Sequence, residues 1–260
     1  MKTKQNSFFT SFSSFLLLAA SGLAQAEPLV TDRPDATESA AVVAPRFAQL
    51  EVGLTTGDDA DGGSFTQSGG SLLRVGLIEN WELRLGWDGY QDGPVGAGVG
   101  DGLLGFKYRI APEAREQFLP ETALLVHTTV PWGADDFSSD KFDPSFLLAF
   151  SHTLNDRWSL GYNLGAELAT SNTANGGDTT LASGLYSVAL GYRATEQLGF
   201  FIEVFGDVGL SAETSSTSLD GGLTWLFNDD NQLDVFAGVG LDDDADDWFL
   251  GIGYSVRFGY

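Results

Sequence analysis

The chain closes on thirteen residues, Trp248 to Tyr260, that read WFLGIGYSVRFGY. Every second residue is large and apolar: Trp248, Leu250, Ile252, Tyr254, Val256, Phe258 and Tyr260. Those between them are mostly small or charged, among them Gly251, Gly253, Ser255, Arg257 and Gly259. Alternation of period two describes one extended strand with an oily face and a wet face. Strands of soluble domains usually run about 5 to 6 residues, whereas a tilted membrane-spanning strand needs roughly 9 to 11. Aromatics at both ends of the oily stripe match the interface girdles of membrane barrels. The stretch predicts the closing strand of a transmembrane β-barrel.

The same pattern recurs about every twenty residues. It predicts strands at 47–55, 71–78, 81–88, 99–110, 121–130, 145–154, 158–168, 182–192, 198–208, 217–227 and 233–241, which the C-terminal strand brings to twelve. Short turns fall at 79–80, 155–157, 194–197 and 228–231, with a longer one near 112–117. Between them lie longer or more acidic, glycine-rich connections at 56–70, 89–98, 132–143, 170–180, 210–216 and 242–247. Short and long therefore alternate around the chain, as in outer-membrane barrels with brief periplasmic turns and longer outer loops. An even strand count puts both termini on the periplasmic side. A secreted β-sandwich would share the alternation, but strand length, aromatic belts and loop asymmetry favour the barrel. No four-strand repeat with a recurring signature marks a propeller.

At the other end of the chain, Lys2 and Lys4 precede an apolar run centred on 15–20, and Ala24-Gln25-Ala26 offers a small-residue cleavage site. That is the layout of a secretory signal peptide over residues 1–26. No other apolar run approaches the roughly 18 residues of a helical span. There are no cysteines, so neither disulfide nor thiol-metal chemistry is expected. The formal charge is −23, or −25 once Lys2 and Lys4 are removed, and nucleic-acid binding demands the opposite sign.

Residues 27–46 are polar, proline-broken and without period, hence not a strand; residues 47–260 form the barrel. The leading segment, with Asp32, Arg33 and Asp35, either tucks into the barrel as a plug with Arg33 meeting luminal carboxylates, or lies outside as a lead-in. Twelve strands enclose a lumen between the filled eight-stranded barrel and the open sixteen-stranded porin. Alternation turns Glu51, Arg74, Glu82, Arg84, Asp101, Lys107, Arg109, Glu121, Glu167, Arg193, Glu203, Asp220, Asp234 and Arg257 inward. These either pair across the lumen or act as a selectivity ring for a solute. Arg74, Arg84, Lys107 and Arg109 lie on three neighbouring strands and could build one basic wall, in which case replacing Arg84 and Arg109 changes ion selectivity.

Catalysis is not expected. Of the two histidines, His152 projects outward with Ser151 on the opposite face, and His127 points inward beside Thr128 and Thr129. Neither sets a base and a nucleophile on one face. The acidic clusters Asp58-Asp59-Asp61, Asp135-Asp136 and Asp242 to Asp247 are read as a solvated, self-repelling surface. Divalent cations shared with lipopolysaccharide phosphates are the alternative. No cofactor or metal site is expected.

Three segments carry a family resemblance. Leu29 to Ser39, LVTDRPDATES, runs on through Val42-Val43-Ala44-Pro45 to Gln49-Leu50-Glu51. Gly100 to Arg109 reads GDGLLGFKYR, and Thr128-Thr129-Val130-Pro131 leads out of the fifth strand. Together they resemble the outer-membrane transporter family labelled "putative MetA-pathway of phenol degradation", although Trp132 departs from the small residue expected there. The resemblance implies an outer-membrane barrel that moves small aromatic or hydrophobic compounds. The expectation is a passive channel in the Gram-negative outer membrane. Its surroundings are membrane lipid and lipopolysaccharide, its C-terminal strand meets the barrel-assembly machinery, and its solute is a small molecule. The rival reading is a structural or adhesive barrel whose lumen is sealed by its own side chains.

Overall fold

The computed structural model describes residues 28–60, 62–172, 178–211 and 215–260. The leader expected over 1–26 and Asp61 of the first acidic cluster lie outside them. One antiparallel sheet contains β1 (Phe47–Asp58), β2 (Ser64–Ile78), β3 (Trp81–Trp87), β4 (Tyr90–Gly93), β5 (Gly96–Val99), β6 (Gly102–Ala111), β7 (Glu121–Val130), β8 (Pro144–Thr153), β9 (Trp158–Asn172), β10 (Asp178–Arg193), β11 (Leu198–Gly209), β12 (Ser215–Asn228), β13 (Asn231–Gly240) and β14 (Trp248–Gly259). The last strand pairs with the first from Phe47↔Gly259 to Asp58↔Trp248, and β1 pairs with β2 on its other side. The ladder thereby closes on itself and leaves no free edge. β4 and β5 form a hairpin beyond the wall, so the wall itself has twelve strands.

Side chains are distributed inside out relative to a soluble domain. Outward residues stay exposed: Leu164 is 57% exposed and Ile202 53%, while inward Glu51, Arg74, Glu82 and Lys107 are at 0%. A closed belt of exposed apolar side chains around a polar interior is stable only with hydrocarbon outside. Trp81 against Tyr108 and Trp158 against Tyr192, each pair at 4.7 Å, with Trp225 against Phe227 at 4.9 Å, line the edge of that belt at the end bearing the termini. His152 faces outward as expected, but Phe118 stacks on it at 4.7 Å and buries it.

Three connections differ from the sequence expectation. The loop anticipated over 56–70 is largely strand, because β1 runs to Asp58 and β2 starts at Ser64. The pairing absorbs one extra residue between Ser68 and Gly70. That residue, Gly69, sits at φ +73°, a left-handed conformation that glycine adopts without strain; a glycine pair that reads as a break is a bulge. Likewise β9 and β10 extend into the loop placed at 170–180. The connection at 89–98 is the β4–β5 hairpin, which continues the line of β3 and pairs with β2 at Ser68↔Tyr90.

Candidate functional site: an occupied lumen

The polar segment ahead of β1 lies within the barrel. It enters at the terminal end, where the Leu29 amide donates to the Asp229 carbonyl at 2.8 Å, and then circles the inner wall. The amides of Asp32 and Arg33 donate to Glu51 on β1 at 3.1 and 3.0 Å. Those of Ala36 and Thr37 donate to Glu203 on β11 at 2.7 and 2.6 Å, and the Thr37 hydroxyl adds a further short bond to Glu203. Glu38 exchanges two backbone bonds with the Asn163 amide on β9, at 2.7 and 2.9 Å. The Ala40 amide donates to Ser151 on β8 at 3.1 Å and that of Val43 to Glu82 on β3 at 2.8 Å. Ala40 also packs against Ala123, Leu125 and Ala149, a small apolar patch on the inner faces of β7 and β8. A segment with no ladder partner of its own must satisfy its amides elsewhere; here three luminal carboxylates, an amide and a hydroxyl do so on five strands.

Its acids engage the basic wall. Lys107 donates to both Asp32 oxygens at 3.0 and 2.9 Å, Arg84 Nη1 donates to Asp32 at 2.6 Å, and Arg74 Nη1 lies 3.1 Å from it. Arg84 Nη2 spans the two oxygens of Glu38 at 2.7 and 2.8 Å. Arg74 in turn forks onto Glu82 at 2.8 and 3.0 Å and reaches Glu51 at 3.1 Å. Three buried cations thus face four carboxylates, and two of the four come from the segment. Burial alone would raise the Asp32 carboxyl, but Arg74, Lys107 and Arg84 outweigh it and hold it well below the usual carboxylate range.

Arg33 takes a different course. Its guanidinium lies in a slot between Gly53 and Gly253, where a Cβ on either glycine would stand 2.4 or 2.3 Å from it. It makes one long contact, 3.4 Å to Asp234, and sits 5.7 Å from the Phe236 ring centre.

Of the residues expected inside, Glu51, Arg74, Glu82, Arg84 and Lys107 converge in this cluster, but they do not present an open basic wall, since Asp32 and Glu38 neutralise it. Arg109 stands apart toward the terminal end, bonded to Asn80 at 2.8 Å and 3.4 Å from Glu121. Arg257 pairs there with Asp230 at 2.7 Å over the Phe47 ring, and Arg193 borders a terminal-end cavity. Asp101 lies just ahead of β6 and accepts from the Gly133 amide at 2.9 Å, which pins a loop. Glu203 and Asp220 face each other across β11 and β12, and Glu167 and Asp207 border a cavity toward the loops. Among the described residues no lysine or arginine pairs with any of these four. The acidic loops form no group that could hold a metal ion among the described residues.

Sequence reading missed Glu38, the second anchor on the basic wall, because nothing periodic marks it. It also missed an apolar share of the lumen. Phe205, Phe236 and Phe249 point inward, with Phe249 6.1 and 6.2 Å from the other two. Their signal was present: Phe201 and Phe205 stand two residues either side of inward Glu203.

The family described as "Putative MetA-pathway of phenol degradation" matches residues 31–258. The chain belongs to that family. The match begins at Thr31, so nearly all of the lumen-lodged segment lies inside the MetA-pathway family span rather than ahead of it. Among solved structures, the NanC porin is similar at 10% identity, with 81% of this chain and all of that one covered and a TM-score of 0.59. The translocator domain of autotransporter NalP from Neisseria meningitidis is similar at 12% identity, covering 82% and 87%, with a TM-score of 0.50. The Pseudomonas putida toluene transporter TodX is a weaker likeness, at 10% identity, 82% and 89% coverage and a TM-score of 0.40. No curated protein matches the chain. Family and fold together make this a Gram-negative outer-membrane β-barrel.

Proposed function

We propose that the protein is a passive channel for small molecules, closed at its waist by its own N-terminal segment. The observation that carries this reading is the thinness of the closure. A cavity of about 380 Å³ at the terminal end and one of about 280 Å³ at the loop end are both lined by Arg33. Arg33 is the one residue that borders both, a partition side chain held by a single 3.4 Å contact. A barrel built only as a structural wall would need no such cavities on both sides of its waist. The family description points to aromatic compounds, and the inward phenylalanines are compatible with them.

The test is solute-induced swelling of liposomes carrying the protein, run over sugars, phenolics and organic acids. The native chain passes the smallest solutes slowly. Arg33→Ala, which empties the partition while leaving the Asp32 anchor in place, speeds their entry by roughly two- to five-fold. Equal rates for the two proteins, or no swelling with any solute by either, would favour the sealed structural barrel.

A further inference from the structure

Above the segment, toward the loops, lies a cavity of about 400 Å³. Its floor is Ala36 and Glu38; inward-facing Leu147, Leu185 and Phe205 supply its apolar wall, and Glu167 and Asp207 its charge. No lysine or arginine lines it. The Glu38 carboxylate is taken by Arg84. Asp207 accepts one hydrogen bond, from Ser216 at 2.5 Å, and among the described residues neither it nor Glu167 has a cationic partner. Buried His127 Nε2 borders the same cavity without a hydrogen-bond partner. Deeper on this wall stand Glu203 and Asp220, whose Oδ1 is also unpartnered.

The asymmetry continues outward. The loop-end connections contain a single cation, Lys141, which is spent on Asp178 at 2.7 Å. The arginines beyond the waist, Arg46, Arg109, Arg115, Arg157, Arg193 and Arg257, all sit at the terminal end, by its short turns and strand ends. A solute arriving from outside therefore meets negative potential first, and then a recess whose free charges are both carboxylates.

We infer that the loop-end cavity binds organic cations with an apolar body, their charge facing Glu167 and Asp207 and their hydrocarbon or ring facing Phe205, Leu147 and Leu185. Two physical arguments fix the class. Uncompensated carboxylates in a partly desolvated recess attract cations and repel anions far more than the same groups do in water. An aromatic face beside them adds attraction for an ammonium group. The basic wall that would have drawn anions is cancelled by the segment's own acids, so the carboxylates of the opposite wall are the uncompensated charge of the accessible lumen. This assignment rests on the channel reading for its route but not for the site itself.

The experiment measures uptake into proteoliposomes of three solutes whose charge is fixed: phenyltrimethylammonium, benzenesulfonate and neutral arabinose. With the full chain the cation enters roughly ten-fold faster than the sulfonate. Glu167→Gln with Asp207→Asn brings that ratio toward one and leaves arabinose unchanged. A sulfonate that enters as fast as the cation overturns the inference, and so does a double variant that keeps the ratio. Exclusion of all three solutes overturns the channel reading alone. Calorimetric titration of phenyltrimethylammonium into the detergent-solubilised chain then decides the site: heat of binding lost in the double variant supports it, and absence of binding to the native chain ends it.

Discussion

Deleting residues 28–43 is expected to raise single-channel conductance in planar bilayers by roughly an order of magnitude, from a barrel that is nearly silent when intact. The deletion leaves the twelve-stranded ladder whole, because the segment contributes no strand to it. What it removes is the material that fills the waist between the β1, β11, β9, β8 and β3 walls. It also takes Asp32 and Glu38 from a cluster that otherwise balances three cations against four carboxylates. Glu51 and Glu82 remain against Arg74, Arg84 and Lys107, so that wall turns net positive and the chloride-to-potassium permeability ratio should rise above that of the intact chain. Adding Arg84→Ala to the deletion should then cancel that rise. In the intact chain the same substitution has little access to permeating ions, since Arg84 is 1% exposed beneath the segment. Arg109→Ala should act alike in both backgrounds, because Arg109 lies outside the cluster. Conductance unchanged by the deletion would show that the lumen is blocked by something other than this segment.

The second large effect concerns stability. Asp32→Ala removes the one carboxylate that touches Arg74, Arg84 and Lys107 together. Breaking a buried ion pair on one side costs about 3–5 kcal/mol, because the abandoned charges stay desolvated. Here three cations are affected at once, although Glu82, Glu51 and Glu38 still serve them. The expected outcome is a loss of that size in urea unfolding of the detergent-solubilised barrel, with Asp244→Asn in an outer loop changing stability by less than about 0.5 kcal/mol. If the segment instead leaves the lumen so that water reaches the cations, the loss appears as conductance, and recording both readouts captures either form. A variant as stable and as silent as the native chain would mean that Asp32 does not anchor the segment.

How much of this was legible beforehand differs from part to part. Strand positions, the face each side chain takes and closure by the last strand all follow from period-two alternation, which is local and survives any error in loop length. Thus Glu51, Arg74, Glu82, Arg84 and Lys107 are where alternation puts them. Loop boundaries were less legible, since Gly69-Gly70 looks like a break and is a bulge that carries the ladder on. The inward phenylalanines obey the same alternation; attention to charge passed over them.

The amino-acid sequence by itself determined the barrel, the face each strand residue takes and which residues can reach the lumen, because each of these depends on neighbours two residues apart. Only the tertiary structure decided what those residues meet. Asp32 reaches Arg74, Arg84 and Lys107, which follow it by 42, 52 and 75 residues, through a segment with no repeating pattern, and contacts of that kind leave no local trace. Once the sheet closes and the segment lodges inside it, one wall is neutralised and the carboxylates of the opposite wall are left without cations. That imbalance is a property of the closed cylinder and its occupant, and no single strand carries it.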